Sequence, residues 1–198
     1  GIGDERGFNL DVGMRGQKAD LYNFDVSVFM LQYNDRIGNV LKRDDNFRAF
    51  RFRTNVGNSR HYGVEAFGQL NVLKLAGIST ASLNLFINVS VIDAQYVQAE
   101  EQAIEGKRVE LTPPFMLRSG LEFKKGNFQS SLLYSYVMEH FSDASNATFV
   151  PSAVEGLIPS YQVLDFSLRY NYKNWLLETG VNNLTNNYYF TRRASGYP

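Results

Sequence analysis

The feature of this chain that most constrains its fold is a period-two alternation of apolar and polar residues, which recurs along almost its whole length. Successive side chains of a β-strand point to opposite faces, so this alternation predicts strands with one oily face and one wet face. In the segment 80–91 the odd positions are all apolar: Ala81, Leu83, Leu85, Ile87, Val89 and Val91. The even positions of the same segment are mostly small and polar, which helical spacing does not explain.

The alternation predicts about eight strands, separated by two kinds of connection. The predicted strands are 5–15, 21–34, 47–70, 79–92, 109–124, 127–140, 160–172 and 175–184. Short breaks at 16–20, 124–127 and 172–174 alternate with long polar stretches at 34–60, 93–108 and 141–159. Short turns at one end and long loops at the other are typical of outer-membrane β-barrels.

A soluble antiparallel sandwich would also place one face of each strand on a core and the other in water. Two features favour a membrane barrel instead. The apolar faces persist for about 9 to 12 residues, which is near the span of a tilted membrane strand. Aromatic residues fall near the ends of these faces, as expected for interfacial girdles: Tyr22, Phe24, Tyr134, Tyr136, Tyr170, Tyr172 and Trp175. The sequence therefore predicts an all-β, transmembrane, antiparallel up-and-down β-barrel.

The composition excludes several classes of function. The chain has 20 basic and 20 acidic residues, so its net charge does not favour a nucleic-acid partner. It has no cysteine, and its 2 histidines, His61 and His140, stand in no metal-ligand spacing. No nucleophile motif accompanies them, so we expect neither an enzyme nor a bound cofactor. Glu65, Glu122 and Glu178 fall on the predicted lumen side with Arg118 and Arg169, where we expect ion pairs.

Three segments resemble one known family. Residues 181–190 read Val-Asn-Asn-Leu-Thr-Asn-Asn-Tyr-Tyr-Phe and are followed by Gly196-Tyr197-Pro198. This region resembles the penultimate strand of TonB-dependent receptors, especially the ferric siderophore and ferric citrate types. The motif positions are Asn182, Asn183, Leu184, Thr185, Asn186 and Tyr189. Residues 29–37 and 60–66 look like the strand-to-loop phrase and the Gly-Val-Glu strand start of the same barrels.

The resemblance implies a barrel of twenty-two strands with an amino-terminal plug. Residues 1–198 would then be eight consecutive strands of a partial barrel, without the plug, the earlier strands and the final strand. It implies a place in the outer membrane of a Gram-negative bacterium and active import of ferric siderophore or ferric citrate-like complexes. The implied partners are outer-membrane lipid, the ferric chelate, and the TonB complex acting through the missing plug.

Candidate ligand-binding residues are the arginines of the predicted extracellular segments. Guanidinium groups bind carboxylates in two-pronged fashion, so an anionic ferric chelate would be attracted to them. The candidates are Arg43, Arg48, Arg51, Arg53, Arg192 and Arg193. Position 51 shares a strand face with Arg53, opposite Phe50 and Phe52. A solvated loop, or contact with anionic outer-leaflet lipid, would explain the same charges.

Two other functions fit the pattern without the resemblance. Eight strands can close alone into a narrow barrel, which would serve adhesion or anchoring. A soluble β-sandwich would serve as a binding module.

Overall fold

The computed structural model describes residues 2–99, 102–148 and 155–193, with only the backbone at positions 39, 41, 49 and 51. The elements are β1 (Arg6–Lys18), β2 (Tyr22–Arg43), β3 (Ala49–Asn71), α1 (Val72–Leu75), β4 (Ser82–Ala99), β5 (Phe115–Lys125), β6 (Phe128–Val137), β7 (His140–Phe141), β8 (Leu157–Ile158), β9 (Tyr161–Tyr172) and β10 (Trp175–Val181). Within the described ranges, no helix is long and apolar enough to cross a membrane.

Eight of the strands form one antiparallel sheet in the order β1-β2-β3-β4-β5-β6-β9-β10, and the two-residue strands β7 and β8 form a separate pair. This up-and-down order confirms the predicted fold class and the eight consecutive strands. The three short breaks are confirmed as tight turns, each with one residue in the left-handed region: Asp20 (φ 54°), Gly126 (φ 55°) and Lys173 (φ 51°). The fourth connection at this end contains α1, which begins after Asn71, whose side chain accepts a hydrogen bond from the Lys74 amide.

The strand ends differ from the prediction mainly at the long-loop end. The predicted loops at 34–60 and 93–108 are wrong over much of their length, because β2 continues to Arg43, β3 begins at Ala49 and β4 runs to Ala99. Above the apolar part of the sheet, both faces of a strand can meet water or a covering loop. A hairpin can therefore continue without the alternation that marks its lower half. Three other strands stop short of the predicted ends, since β5 begins at Phe115, β6 ends at Val137 and β10 ends at Val181.

Cross-strand register places residues of like character side by side. Val12, Val28, Val64 and Val91 lie opposite one another on four neighbouring strands and form one row of the apolar face. We call this row the valine row. The adjacent row on the other face is polar, with Ser27, Glu65 and Ser90 in register. Valine-row side chains are exposed, 64% in the case of Val12, because no other described part of the chain covers the apolar face.

On the lumen-facing side, aromatic rings pack over glycines of the neighbouring strand. A Cβ atom at Gly63 would lie 2.3 Å from the ring of Phe29, and one at Gly120 would lie 2.8 Å from the ring of Phe86. Glycine thus leaves room for a ring that restores the missing contact area.

Polar side chains on the same face pair with one another. Arg169 and Glu178 form the predicted lumenal ion pair. Glu122 instead accepts a hydrogen bond from the side-chain amide (Nε2) of Gln129 at 2.8 Å. Such exposed pairs contribute about 0 to 1 kcal/mol each, so they order the lumen surface more than they stabilise the sheet.

The buried apolar cluster lies at the long-loop end rather than in the middle of the sheet. Its members are Val40, Val56, Ala94, Tyr96, Ile104, Val109 and Ala144. The cluster joins the β2–β3 hairpin, the end of β4 and two of the long loops. It is the scaffold on which the candidate functional site is built.

Candidate functional site

A β-bulge in the β2–β3 hairpin determines which side chains face the lumen. The pairing shifts between Tyr33 and Ile37 of β2, opposite Gly57 of β3. Gly57 has a φ of 132°, and a Cβ atom there would lie 2.2 Å from the carbonyl oxygen of Gln98. Only glycine fits this position. In a regular strand Val56 and Ser59, three residues apart, would face opposite sides. The extra residue at the bulge reverses the alternation, so both face the side of Tyr96.

The reversal separates the predicted arginines from the lumen-facing side of the hairpin. Arg53 lies opposite Asn39, and Arg43 lies opposite Ala49, on the face away from the buried cluster. Both side chains are exposed, as is Arg48 in the turn. The side chain of Arg51 lies outside the described residues. Arg43, Arg48 and Arg53 are therefore brought together at one hairpin tip, although not on its inner face.

The inner face of the hairpin tip carries aromatic rings and one lysine. Phe52 lies opposite Val40, and Phe50 lies opposite Lys42. The Lys42 ammonium lies 3.9 Å from the centroid of the Phe52 ring, a cation–π contact. Phe50 and Phe52 are 43% and 40% exposed. Phe50, Phe52 and Lys42 were not among the candidates predicted from the sequence, because the face they occupy depends on the bulge near Gly57.

The turn at the hairpin tip is held by the side chain of Asp44. Its Oδ1 accepts hydrogen bonds from the amides of Asn46 at 2.9 Å and Arg48 at 2.8 Å. This closure leaves Phe47 with a φ of 59° and 81% exposed. A bulky residue rarely adopts this conformation, and here it presents an aromatic ring to solvent at the tip.

Below the hairpin tip, a buried polar network ties β2 and β4 to the loop that precedes β5. The Tyr96 hydroxyl donates a 2.6 Å hydrogen bond to Oε2 of Glu110, and Arg36 lies 4.0 Å from the same carboxylate. The Arg36 guanidinium also lies 5.9 Å from the ring centroid of Tyr33 and 6.0 Å from that of Tyr96. A Cβ atom at Gly38 would lie 3.2 Å from Glu110, so this glycine admits the carboxylate. We call this network the Glu110 clamp.

A second set of contacts joins the loop before β5 to the loop between β6 and β9. The Lys107 ammonium donates to the Ser145 carbonyl at 2.6 Å. The Asn146 side chain pairs with the Arg108 backbone, accepting from its amide at 2.7 Å and donating to its carbonyl at 2.9 Å. These hydrogen bonds between side chains of one loop and backbone groups of the other fix the two loops relative to each other. They therefore form one layer above the sheet.

We call the loop between β6 and β9 the second loop. Asp143 organises this loop and affects the pKa of Glu155, the other buried carboxylate among its described residues. The Asp143 carboxylate accepts hydrogen bonds from the amides of Ser145 at 2.9 Å and Gly156 at 3.1 Å. Burial, followed by repulsion from Asp143, raises the pKa of the Glu155 carboxyl, and the charge of Arg43 opposes this shift. The hairpin tip and the second loop are thus electrostatically coupled.

The last two predicted arginines occupy different environments. Arg193 is half-buried, donates from Nε to the carbonyl of Leu157 at 3.0 Å, and lies 5.3 Å from the ring centroid of Phe190. Arg192 is exposed. The structure therefore places Arg193 against the second loop, whereas Arg192 lies in solvent.

The motif that follows β10 has a structural explanation. Asn183 and Asn186 each have a φ of 52°, a conformation that asparagine tolerates better than most residues. The Asn183 side chain accepts from the Asn187 amide at 3.0 Å and donates to the Asn187 carbonyl at 2.9 Å. The Leu184 amide donates to the carbonyl of Leu164 in β9 at 2.7 Å.

The same segment is anchored at its far end by an aromatic pair. The rings of Tyr161 and Tyr189 are stacked with centroids 4.8 Å apart. Asn182 and Thr185 lie exposed in the turn. The motif therefore keeps the segment beside β9 after β10 has ended. Gly196-Tyr197-Pro198 lies outside the described residues.

Comparisons with known proteins agree with this architecture. The sequence model of a family described as TonB dependent receptor-like, beta-barrel matches residues 2–184. A search of curated proteins gives no match. Among solved structures, the unliganded ferric citrate transporter FecA is 17% identical with a TM-score of 0.77, and the match covers 93% of this chain and 27% of FecA.

Two further structures give similar matches. The ferric yersiniabactin uptake receptor FyuA from Yersinia pestis is 20% identical with a TM-score of 0.72, covering 95% of this chain and 26% of FyuA. The copper transporter OprC is 16% identical with a TM-score of 0.72, covering 98% of this chain and 29% of OprC. The chain thus spans about a quarter of the length of these structures, and at these identities the likeness shows the fold. Since the family model covers nearly the whole chain, the chain belongs to the TonB-dependent receptor-like β-barrel family.

Proposed function

We propose that this chain is part of the wall of an outer-membrane receptor that imports ferric siderophore or ferric citrate-like complexes with energy from TonB. The observation that carries the proposal is the single up-and-down sheet with one continuous apolar face and one polar face. A soluble sandwich would bury such an apolar face against a second sheet. The family is one of transport receptors rather than enzymes.

The apolar face supports a place in the outer membrane of a Gram-negative bacterium. Val12, Val28 and their neighbours would contact lipid acyl chains, while aromatic residues mark the lower edge of the face. Trp175 and Tyr172, at the β9–β10 turn, are 71% and 52% exposed. Amphipathic rings at this level suit the boundary between acyl chains and headgroups.

The open edges of the sheet support a larger barrel. The strands β1 and β10 are the two ends of the strand order, and within the described ranges each has one hydrogen-bonded neighbour in the sheet. Unpaired strand edges are not stable in a bilayer, because their amides and carbonyls find no partners there. A narrow barrel closed by these eight strands would pair β1 with β10. We therefore favour a longer protein in which other segments supply the plug, the earlier strands and the final strand, with TonB acting through the plug.

The hairpin tip supports an anionic chelate as the ligand. Arg43, Arg48 and Arg53 bring three exposed guanidinium groups to the tip, and position 51 adds a fourth arginine by sequence. Arg192 and Arg193 would add charge near the second loop. Iron chelates of the citrate and siderophore classes carry carboxylate or similar oxygen donors, which arginine binds well. FecA and FyuA, which share the fold, are named for ferric complexes.

The proposal is tested on the full-length protein in its native host. We expect deletion of the gene to abolish uptake of at least one radiolabelled ferric chelate, and loss of TonB to have the same effect. Replacement of Arg43, Arg48 and Arg53 by glutamine should raise the half-saturating chelate concentration without lowering the amount of receptor in the outer membrane. Lys18→Gln, at the opposite end of the sheet, is the matched control. Unchanged uptake of every ferric complex after deletion, or recovery of the protein in the buffer-soluble fraction, would contradict the proposal.

A further inference from the structure

A row of polar and basic residues lies directly above the apolar face on the outer side of the sheet. The register pairs Gln32 with Arg60, Arg60 with Gln95, and Gln95 with Arg108. These four residues therefore stand side by side on the face that also bears the valine row, since Gln32 is an even number of residues from Val28. We call them the Arg60 row.

A shallow groove lies immediately below the Arg60 row. It has a volume of about 440 Å³, and its floor is the valine row. Leu10, Met30 and Tyr62 line its upper end, one register step below Gln32 and Arg60. The groove is almost wholly apolar, and Leu10 is 60% exposed. Valine side chains are short, so four of them in register leave a shallow depression in the apolar face.

The charges above the groove lack ionic partners within the described part of the chain. The ion pairs found there involve Arg36, Lys74 and Arg169 as the cations. Arg60 donates from Nε to the Gln32 amide oxygen at 2.9 Å, which orients its guanidinium along the row. Arg108 is exposed, and among the described residues its side chain has no hydrogen-bond or ionic partner.

Two further charged residues lie close to the row on the same face. Arg6 lies opposite Asn34, one step above, and adds a third cation. Asp93 lies one step below, opposite Tyr62, and its Oδ1 accepts a 3.2 Å hydrogen bond from the Gln95 side chain. Among the described residues, the patch is therefore net positive, with three arginines against one carboxylate.

We infer that the Arg60 row and the groove bind a phosphorylated glycolipid of the outer leaflet. Its phosphates would lie on Arg60 and Arg108, and one acyl chain would lie along the valine row. Neighbouring strands are about 4.8 Å apart, so these arginines, two strands apart, are separated by roughly 10 Å, a distance that a headgroup with two phosphates spans. The Gln95 side chain, which lies between them, offers hydrogen bonds to sugar hydroxyls. The inference rests on the proposed outer-membrane location, and it assigns to Arg60 a role separate from import of the chelate.

The experiment uses the purified full-length receptor and lipid A that carries two phosphates, with the phosphate-free form of the same lipid as the comparison. Bound lipid is counted by native mass spectrometry over a series of lipid concentrations. Each arginine near an anionic lipid surface contributes about 1 kcal/mol, or roughly a 5-fold change in affinity. We therefore expect the double variant Arg60→Gln/Arg108→Gln to bind lipid A roughly 25-fold more weakly. Arg15→Gln, which removes a lumen-facing cation from β1, should bind it like the wild type.

Folding of each variant is checked by its heat-modifiable migration on gels, so that weak binding is not confused with misfolding. Equal binding of the two lipids by the wild type would overturn the inference, as would unchanged binding by the double variant. A loss of equal size in Arg15→Gln would overturn it too, because the effect would then be one of net charge. Each of these outcomes leaves the import proposal intact if chelate uptake persists, whereas absence from the outer membrane would refute the proposed function itself.

Discussion

The Glu110 clamp gives a quantitative prediction for the mobility of the loop before β5. Tyr96→Phe removes the hydroxyl that donates to Glu110 at 2.6 Å and leaves the ring in place. Tyr96 is 1% exposed and Glu110 is 8% exposed, so water does not replace the lost bond freely. A hydrogen bond to a charged group contributes about 1.5 to 3 kcal/mol. Arg36 still faces the carboxylate, so we expect the lower half of this range, about 2 kcal/mol.

The predicted readout is tryptic cleavage after Lys107 and Arg108, which requires the loop to open. When opening and closing are fast relative to cleavage, the rate follows the population of the open form. A cost of about 2 kcal/mol then corresponds to roughly 30-fold faster cleavage. The assay uses the folded full-length protein, and hydrogen exchange of the Val109 amide, which bonds to the Ala94 carbonyl at 3.0 Å, gives an independent measure.

The matched control is Tyr134→Phe, which removes a hydroxyl that donates to Gln162 at 2.8 Å at an exposed site of the sheet. Cleavage of this variant should proceed at the wild-type rate. If Tyr96→Phe were also cleaved at the wild-type rate, the Glu110 clamp would not hold the loop, and the reasoning from burial would be refuted.

Three further predictions concern single residues at the two ends of the sheet. Gly57→Ala should reduce the yield of folded protein, because a Cβ atom would collide with a carbonyl oxygen 2.2 Å away. Gly77→Ala, where φ is 79° and a Cβ atom would meet open space, is the control for backbone strain alone, and equal yields of the two variants would contradict the steric argument. Asn183→Ala should speed hydrogen exchange of the Asn187 amide by roughly 5- to 30-fold, since a side-chain cap contributes about 1 to 2 kcal/mol, and unchanged exchange would show that the turn holds without it. Glu155 has a raised pKa in the folded loop, so it favours the folded loop at low pH and disfavours it as the pH rises through that pKa. Glu155→Gln should therefore protect the loop amides better than the wild type at about pH 8 but not at about pH 4, and equal protection at about pH 8 would contradict the sign of the shift.

The lower half of the sheet could be predicted from the sequence because its two faces differ in polarity. One face of each strand is apolar and the other is polar, so the side chains from Leu83 to Val91 indicate by their chemistry which face they occupy. The tight turns were also predictable, since short polar breaks such as 124–127 leave no room for other connections. The motif after β10 was recognised from its residues, but its cause, two asparagines in the left-handed region, emerged only from the backbone.

The upper half could not be predicted in the same way. One extra residue at the bulge near Gly57 moves every side chain between the bulge and the hairpin tip to the opposite face, and no local sequence pattern indicates the bulge. The predicted arginines therefore lie on one face of the tip, while Lys42 and Phe52 occupy the other. The ligand-binding role of these arginines stays a prediction.

The sequence by itself determined the fold class, the number of strands and the faces of the strands at the level of the apolar belt, because a period-two pattern distinguishes the apolar face of a strand from its polar face residue by residue. Only the tertiary structure decided how the long loops are joined to the sheet. Tyr96 and Glu110 are 14 residues apart, and Arg36 is much farther away in the chain, yet all three meet in one buried network. Such contacts depend on register, a bulge and the closing of loops, and these are properties of neighbouring strands rather than of any one segment.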